Sequence, residues 1–332
     1  MSDPHLFDLI RELKRQRNAV ILAHNYQEGR IQEAADFSSD SLKLAQYATK
    51  TEAEVILFCG VHFMAETAAM LCPDKTVLVP DLAAGCSLAD MVLPAQVRRW
   101  KQEHPGGEVV CYINTSAAVK AECDYCCTSA NGETILNAIA PDREILFVPD
   151  YYLGSYLKAK TGRKIHLWKG YCPAHTAITP EGVDRLREQH PEAEFLMHPE
   201  CGCLTKQMDL ADRILSTDGM IQYVRQSPAK AFIVATENGI LYRMRKENPD
   251  KLFLPASEQA TCQHMQVNTL EKVAQSLIRM QYPVTVDPKI ARRALVPIRR
   301  MLEITESAED RYQAPMPVWW GDPILALAND LR

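Results

Sequence analysis

Three times along this chain, a set of three short β-rich runs is followed by a cysteine. The first set is "AVILAHNY", "EVILFCG" and "TVLVPD". The second is "EVVCYINT", "EILFVPD" and "KIHLW". The third is "EFLMHPE", "AFIVATENG" and "KLFLPA". Helix-like segments such as "IQEAADFSSDSLKLAQYATK" and "PEGVDRLREQH" lie between most of them. Continuous apolar strands alternating with helices specify parallel sheets covered on both faces. The cysteines are Cys86 in "DLAAGCSLAD", Cys172 in "WKGYCPAHT" and Cys262 in "ASEQATCQHM", spaced 86 and 90 residues apart. The first run of each set also ends in hydrogen-bonding side chains: His24 and Tyr26, then Tyr112 and Asn114, then His198 and Glu200. A near-constant period of this kind predicts three similar α/β units. Their expected boundaries are 1–86, 87–172 and 173–262, with the segment 263–332 packing back on the first.

Ligands of parallel α/β sheets bind at the carboxyl ends of the strands. Three units around a pseudo-threefold axis therefore aim one cysteine each, and the polar strand ends, at a common centre. Structural zinc and [4Fe–4S] sites normally take four protein ligands. Three thiolates leave one metal corner open for a substrate oxygen. Spacing does not choose between zinc and iron–sulfur. Around the same centre, "SDSLKLA" places Ser41 near a helix start. "CTSANGE" does so with Thr128 and Ser129, and "LSTDGM" with Ser216 and Thr217. Each reads singly as a helix cap; together, one per unit, they suit a carboxylate or phosphate. Glu200 is the one carboxylate directly at the end of a first strand, a natural general base or proton shuttle.

Eleven cysteines without an export signal argue for metal-binding and buried thiols rather than disulfides. Cys59 and Cys111 sit inside apolar runs and read as packing residues. "HPECGC" (198–203) alone looks like a compact metal site, yet the threefold spacing shifts the ligands away from Cys201 and Cys203. In "CDYCC", Cys123 and Cys126 share a face if helical; no second pair at zinc-ribbon spacing accompanies them, so packing is expected there too. The formal net charge of -5 argues against nucleic acid as the main partner. No apolar run approaches the roughly 18–20 residues of a membrane span. The opening "MSDPHLFDLIRELKRQRNAV" reads as an ordinary first helix, consistent with a cytoplasmic protein.

These segments resemble the quinolinate synthase family. The resemblance rests on "ILAHNYQ", "SDSLKLA", "DLAAGCSLADM", "YINTSAAVKAECDYCCTSAN", "FVPDYYLG", "WKGYCPAH", "HPEC", "LSTDGM", "IVATENGILYRM" and "ATCQHM". They run in family order over roughly three quarters of the chain. The resemblance implies three three-layer αβα domains about a pseudo-threefold axis, with the active site at their junction. It implies one [4Fe–4S] cluster per chain held by Cys86, Cys172 and Cys262, with one open iron. It also implies a transferase of de novo NAD biosynthesis that condenses iminosuccinate with dihydroxyacetone phosphate to quinolinate. By motif, His24, Ser41, Tyr112, Asn114, Ser129, His198, Glu200 and Thr217 bind substrate. Tyr26 and Glu200 take part in proton transfer, and His24 joins them at the catalytic centre. The pathway implies a functional link to L-aspartate oxidase, and the chain is expected as a monomer or homodimer.

Two departures from the family pattern stand out. "CGC" lengthens the stretch between "HPE" and "ST". "CQHM" carries Cys262 alone, where some members have a C-x-x-C-x-x-C run. The tail from about residue 284, with Trp319 and Trp320, extends past the matched motifs and reads as a packed tail or an oligomer contact. A rival reading is a diphthamide-synthesis-like radical protein, which also joins three domains through one cysteine each. Another is a non-catalytic chain using the metal structurally. The small-ligand motifs "HNY", "YINTS" and "HPE" favour the synthase.

Overall fold

The computed structural model describes residues 3–313; Trp319 and Trp320 lie outside them. The strands form three separate four-stranded sheets in which every strand pairing is parallel. The first holds β1 (Ala19–His24), β2 (Phe37–Ser39), β3 (Val55–Cys59) and β4 (Thr76–Leu78), in the order β2-β1-β3-β4. The second repeats this as β6-β5-β7-β8, from β5 (Glu108–Tyr112), β6 (Tyr125–Cys127), β7 (Ile145–Val148) and β8 (Ile165–Leu167). The third is β10-β9-β11-β12, from β9 (Glu194–Met197), β10 (Arg213–Ile214), β11 (Ala231–Ala235) and β12 (Leu252–Pro255).

Each sheet is buried on both faces, which is why its strands read as unbroken apolar runs. Along β1 and β3, Leu22, Ile56 and Phe58 face one core, while Ile21, Ala23, Val55 and Leu57 face another. In the third sheet Phe195, Met197 and Ile233 pack on one side and Leu196, Phe232 and Val234 on the other. A fully buried side chain of this size contributes about 1.5–3 kcal/mol. Cys59 and Cys111 are buried among these strands. Among the described residues, no helix is long and apolar enough to cross a membrane.

Nine of the twelve strands coincide with the nine sequence runs. The other three, β2, β6 and β10, are edge strands of two or three residues, too short to show a period. "CDYCC" accordingly is not helical: Cys126 and Cys127 lie on β6, and the Cys123 thiol donates to the Val119 carbonyl at 3.2 Å. The same device docks all three edge strands. Asp36, Asp124 and Asp212 stand 88 residues apart. The Asp36 carboxylate accepts from the Ile21 N–H at 2.8 Å, and its own N–H donates to the Ile21 carbonyl at 2.9 Å. Asp124 makes the same pair with Val109, and Asp212 with Phe195.

A second set repeats at the same interval of 88 residues: Lys75, Arg163 and Lys251. Each cation caps the carbonyl end of a helix, where the helix dipole and unpaired carbonyls favour positive charge. Lys75 Nζ reaches the Thr51 and Ala53 carbonyls at 2.6 Å, after the helix Ser41–Lys50. The Arg163 guanidinium reaches those of Leu136, Ile139 and Ala140 at the end of Gly132–Ala138. Lys251 Nζ reaches those of Val224 and Ser227 at the end of Thr217–Gln226.

The chain after Cys262 divides. The helix Leu270–Arg279 buries Leu270, Val273 and Leu277 against the helix Asp3–Gln16 and the first sheet. Residues 282–284 then bond to Val77 and Val79 beside β4. The helix Pro288–Gln313 instead crosses to the second unit, where Ala294 and Ile298 pack with Ala117 and Ala121. Its apolar stripe also meets Met70 of the first unit, so the helix lies across both units while 263–284 packs on the first.

Candidate active site

One cavity between the three units is lined by His24, Tyr26, Ser41, Cys86, Tyr112, Asn114, Ser129, Cys172, His198, Glu200, Thr217 and Cys262. Of the residues singled out in the sequence as site candidates, all but Ser216 meet there; Ser216 caps the helix Thr217–Gln226. The repeat explains the convergence. His24, Tyr112 and Glu200 stand 88 residues apart, at or just beyond the carboxyl ends of β1, β5 and β9. Ser41, Ser129 and Thr217 stand at the same interval, at or before the starts of the following helices. Asp40 and Ser216 cap two of those helices through their side chains.

The imidazoles are neutral donors. Burial drives His24 and His175 down to about 3, and holds His198 well below its ordinary value. His24 Nδ1 accepts from the Tyr26 amide at 3.2 Å, which leaves the proton on Nε2. His198 Nδ1 likewise accepts from the Glu200 amide at 3.4 Å, so Nε2–H donates to Ser129 Oγ at 3.1 Å. Ser129 is thus an acceptor from histidine, and its own hydroxyl proton is free to point at a ligand. Thr217 follows the same logic, since its Oγ1 accepts from Asn25 Nδ2 at 3.1 Å.

The Glu200 carboxyl is pushed well above the usual carboxylate range, first by burial and then by the nearby Asp150. Its Oε2 lies 3.3 Å from His198 Nδ1 and 4.0 Å from His175 Nδ1. The Tyr26 hydroxyl meets Thr236 Oγ1 at 2.6 Å and His175 Nε2 at 3.2 Å. His175 therefore stands between Tyr26 and Glu200, with its own Nδ1 buried and without a hydrogen-bond partner. These groups form a buried network of neutral acids and bases.

The three cysteines share one local design. The amide of the third residue onward points to each sulfur: Ala89 to Cys86, His175 to Cys172 and Met265 to Cys262. Amides aimed at sulfur favour thiolate, whereas burial opposes it. Burial pushes the Cys86 thiol up to about 12 and raises those of Cys172 and Cys262. Three soft sulfurs lining one cavity, each near a backbone N–H, fit a thiolate-ligated metal group that displaces the protons. Cys201 and Cys203 lie elsewhere: both are fully buried against Ile178, Phe195 and Leu204, with their sulfurs 3.0 Å apart. Between them, a Cβ on Gly202 would meet Thr176 Cα at 2.9 Å.

Sequence reasoning missed His175, Thr236 and Glu237. His175 is three residues past Cys172 in "CPAH". Thr236 and Glu237 directly follow β11, so the strand-end rule applied to the second run of each set as well as the first would have found them. Both Glu237 oxygens are engaged, by the Cys262 amide at 3.0 Å and the Gly239 amide at 2.7 Å.

Comparison with known proteins shows which family the chain resembles along its length. The family model described as Quinolinate synthetase A protein matches residues 8–303. A relative named quinolinate synthase from Dehalococcoides mccartyi is 52% identical over 296 residues, covering 89% of this chain and 97% of the relative. One of the same name from Thermus thermophilus is 52% identical, covering 89% and 94%. Another from Pyrobaculum aerophilum is 51% identical over 300 residues, covering 89% and 98%.

Proposed function

The chain belongs to the quinolinate synthetase A family, and from that premise we propose that it condenses iminosuccinate with dihydroxyacetone phosphate. The products are quinolinate, phosphate and two waters. The single observation that carries the reading is the cavity itself, lined by three thiols, one from each unit, a ring of donors and the buried carboxyl of Glu200.

Cys86, Cys172 and Cys262 are the ligands of a [4Fe–4S] cluster, each with its amide donor in place. When bound, the cluster supplies a Lewis-acidic iron with one corner free of protein. The rest of the chemistry falls to side chains. Both substrates are anionic, and Ser129, Thr217 and His24 present O–H or N–H donors with their remaining lone pairs already occupied or turned away. Ser41 and Asn114 complete that wall. No charged base is needed to hold the anions, because neutral donors in a buried site interact strongly.

Ring formation requires protons to leave carbon and hydroxyls to leave as water. Glu200, whose carboxyl burial lifts well above the usual carboxylate range, suits proton transfer to and from substrate. Tyr26, tied to Thr236 and His175, hands a proton to or from the same region. An aspartate-oxidising enzyme supplies the unstable imine.

The test is anaerobic purification, iron and sulfide analysis, and an assay of quinolinate from the two substrates. About four irons per chain and quinolinate formation are expected, with both lost on serine substitution of Cys86, Cys172 or Cys262. Zinc in their place, or a loaded chain that forms no quinolinate, overturns the reading.

A further inference from the structure

Far from the cavity, at the opposite edge of the second sheet, stands a cluster that the reaction does not use. His104 follows the helix Pro94–Glu103, Glu144 precedes β7, and His166 is the middle residue of the edge strand β8. Glu144 joins the two rings: His104 Nδ1 lies 2.9 Å from its Oε2, and His166 Nε2 lies 2.5 Å from its Oε1. All three donor atoms lie within 4.8 Å of one another, and all three residues are half-exposed.

We propose that His104, Glu144 and His166 form a surface site for a borderline divalent cation such as zinc, separate from the cysteine centre. Two imidazoles and one carboxylate select zinc, nickel or cobalt over magnesium or calcium. Three protein ligands leave room for water at the fourth position of a tetrahedral ion. Donors about 2.0–2.1 Å from zinc stand roughly 3.3 Å apart in that geometry. Shifts of about an ångström at the side-chain tips bring these atoms there, with the metal replacing the protons now shared with Glu144.

The repeat within the chain shows that the fold does not require these residues. His166 sits on the second rung of its ladder, opposite Leu146. Traced through the central-strand residues Ile21, Val109 and Phe195, the same row holds Leu78 opposite Leu57 in the first sheet and Leu254 opposite Ile233 in the third. Leu78 is fully buried and Leu254 half-buried, whereas the His166 side chain is 37% exposed. A hydrophobe serves the other two units, so histidine answers another demand. The rings are also held in place. Trp100 stacks on His104 at 4.4 Å and 11°, and meets His166 edge-on at 5.8 Å. Pre-set rings lower the ordering cost of binding.

A metal here would pin β8 to the helix end and to β7. β8 is an edge strand held by three register pairs, and it leads directly to the segment carrying Cys172. The test titrates zinc into the anaerobically isolated chain against a chromophoric zinc chelator. Wild type is compared with His166→Val, which puts a β-branched hydrophobe on the edge strand, and with Glu144→Gln. Zinc held at the cysteines is common to all three, so the difference between proteins reports this site alone. The expected result is one additional zinc per wild-type chain, bound at least tenfold more tightly than by either variant. Zinc should also raise the wild-type Tm and leave that of His166→Val unchanged, with iron content constant throughout. If His166→Val does not fold, His104→Gln gives the same comparison. Equal zinc uptake and equal Tm response in wild type and variants overturns the proposal.

Discussion

Replacing Thr217 by valine tests the claim that paired neutral donors bind the anionic substrates. Valine keeps the shape of threonine at the first position of the helix Thr217–Gln226 but removes the hydroxyl. Two interactions go. The Asn25 side-chain amide loses its acceptor at 3.1 Å, in a residue with no solvent exposure. The substrate loses a donor. The first loss costs the free protein about 1 kcal/mol, lowering Tm by roughly 2–4 °C. The second is a hydrogen bond to a charged group, worth about 1.5–3 kcal/mol. At about 1.36 kcal/mol per tenfold, kcat/KM should fall roughly 10- to 150-fold. If Thr217 grips a part of the substrate that does not react, the loss appears in KM with kcat unchanged. Thr217→Ser restores the hydroxyl and should stay within about threefold of wild type. The assay is quinolinate formation by the anaerobic, cluster-loaded chain. A Thr217→Val enzyme within twofold of wild type would falsify the donor-wall reasoning.

Asp150 is buried with its carboxyl raised to about 7, chiefly by burial, so it favours the protonated form in the folded state. Its contribution to stability is full below the ordinary carboxylate range and is lost as pH rises through about 7. Asp150→Asn should keep the cap to the Leu153 amide, flatten Tm between pH 5 and 8, and shift the acidic limb of the activity profile downward by relieving Glu200; parallel Tm curves for the two proteins would rule this out. Arg163→Met should leave the Leu136, Ile139 and Ala140 carbonyls uncapped and lower stability by about 1–3 kcal/mol, read by thermal melting, with kcat/KM unchanged; an unaltered Tm would count against the capping role. Gly202→Ala forces a Cβ to 2.9 Å from Thr176 Cα and should reduce activity by displacing the backbone beside Glu200 and His175; wild-type activity and Tm would show that the loop absorbs it. Cys201→Ser and Cys203→Ser should retain full iron content, since neither sulfur faces the cavity; iron loss in either would contradict the assignment of ligands.

The three-unit architecture was legible because parallel strands buried on both faces write themselves as long apolar runs. Cys86, Cys172 and Cys262 were legible because each follows the last strand of its unit. The edge strands β2, β6 and β10 were not. They contain two or three residues, and what docks them is a pair of bonds from one aspartate to the central strand. The 88-residue interval that relates Asp36, Asp124 and Asp212 was hidden by the cysteines, which depart from it by two residues in either direction. The path of the helix Pro288–Gln313 was also hidden, because an apolar stripe states that a helix packs and not which unit it covers.

The residue types and their order thus determined by themselves the number of units, the three longer apolar strands of each and the set of side chains that can meet at a centre. Short-range patterning carries that information, since burial on both faces of a strand is a local demand on sequence. Tertiary structure alone decided the state of those side chains. That His24 and His198 are neutral donors, that Ser129 and Thr217 are turned to give a proton, and that His175 stands between Tyr26 and Glu200 all follow from contacts between residues up to 192 positions apart. Burial sets the protonation of such groups, and burial belongs to the assembled units rather than to any one segment.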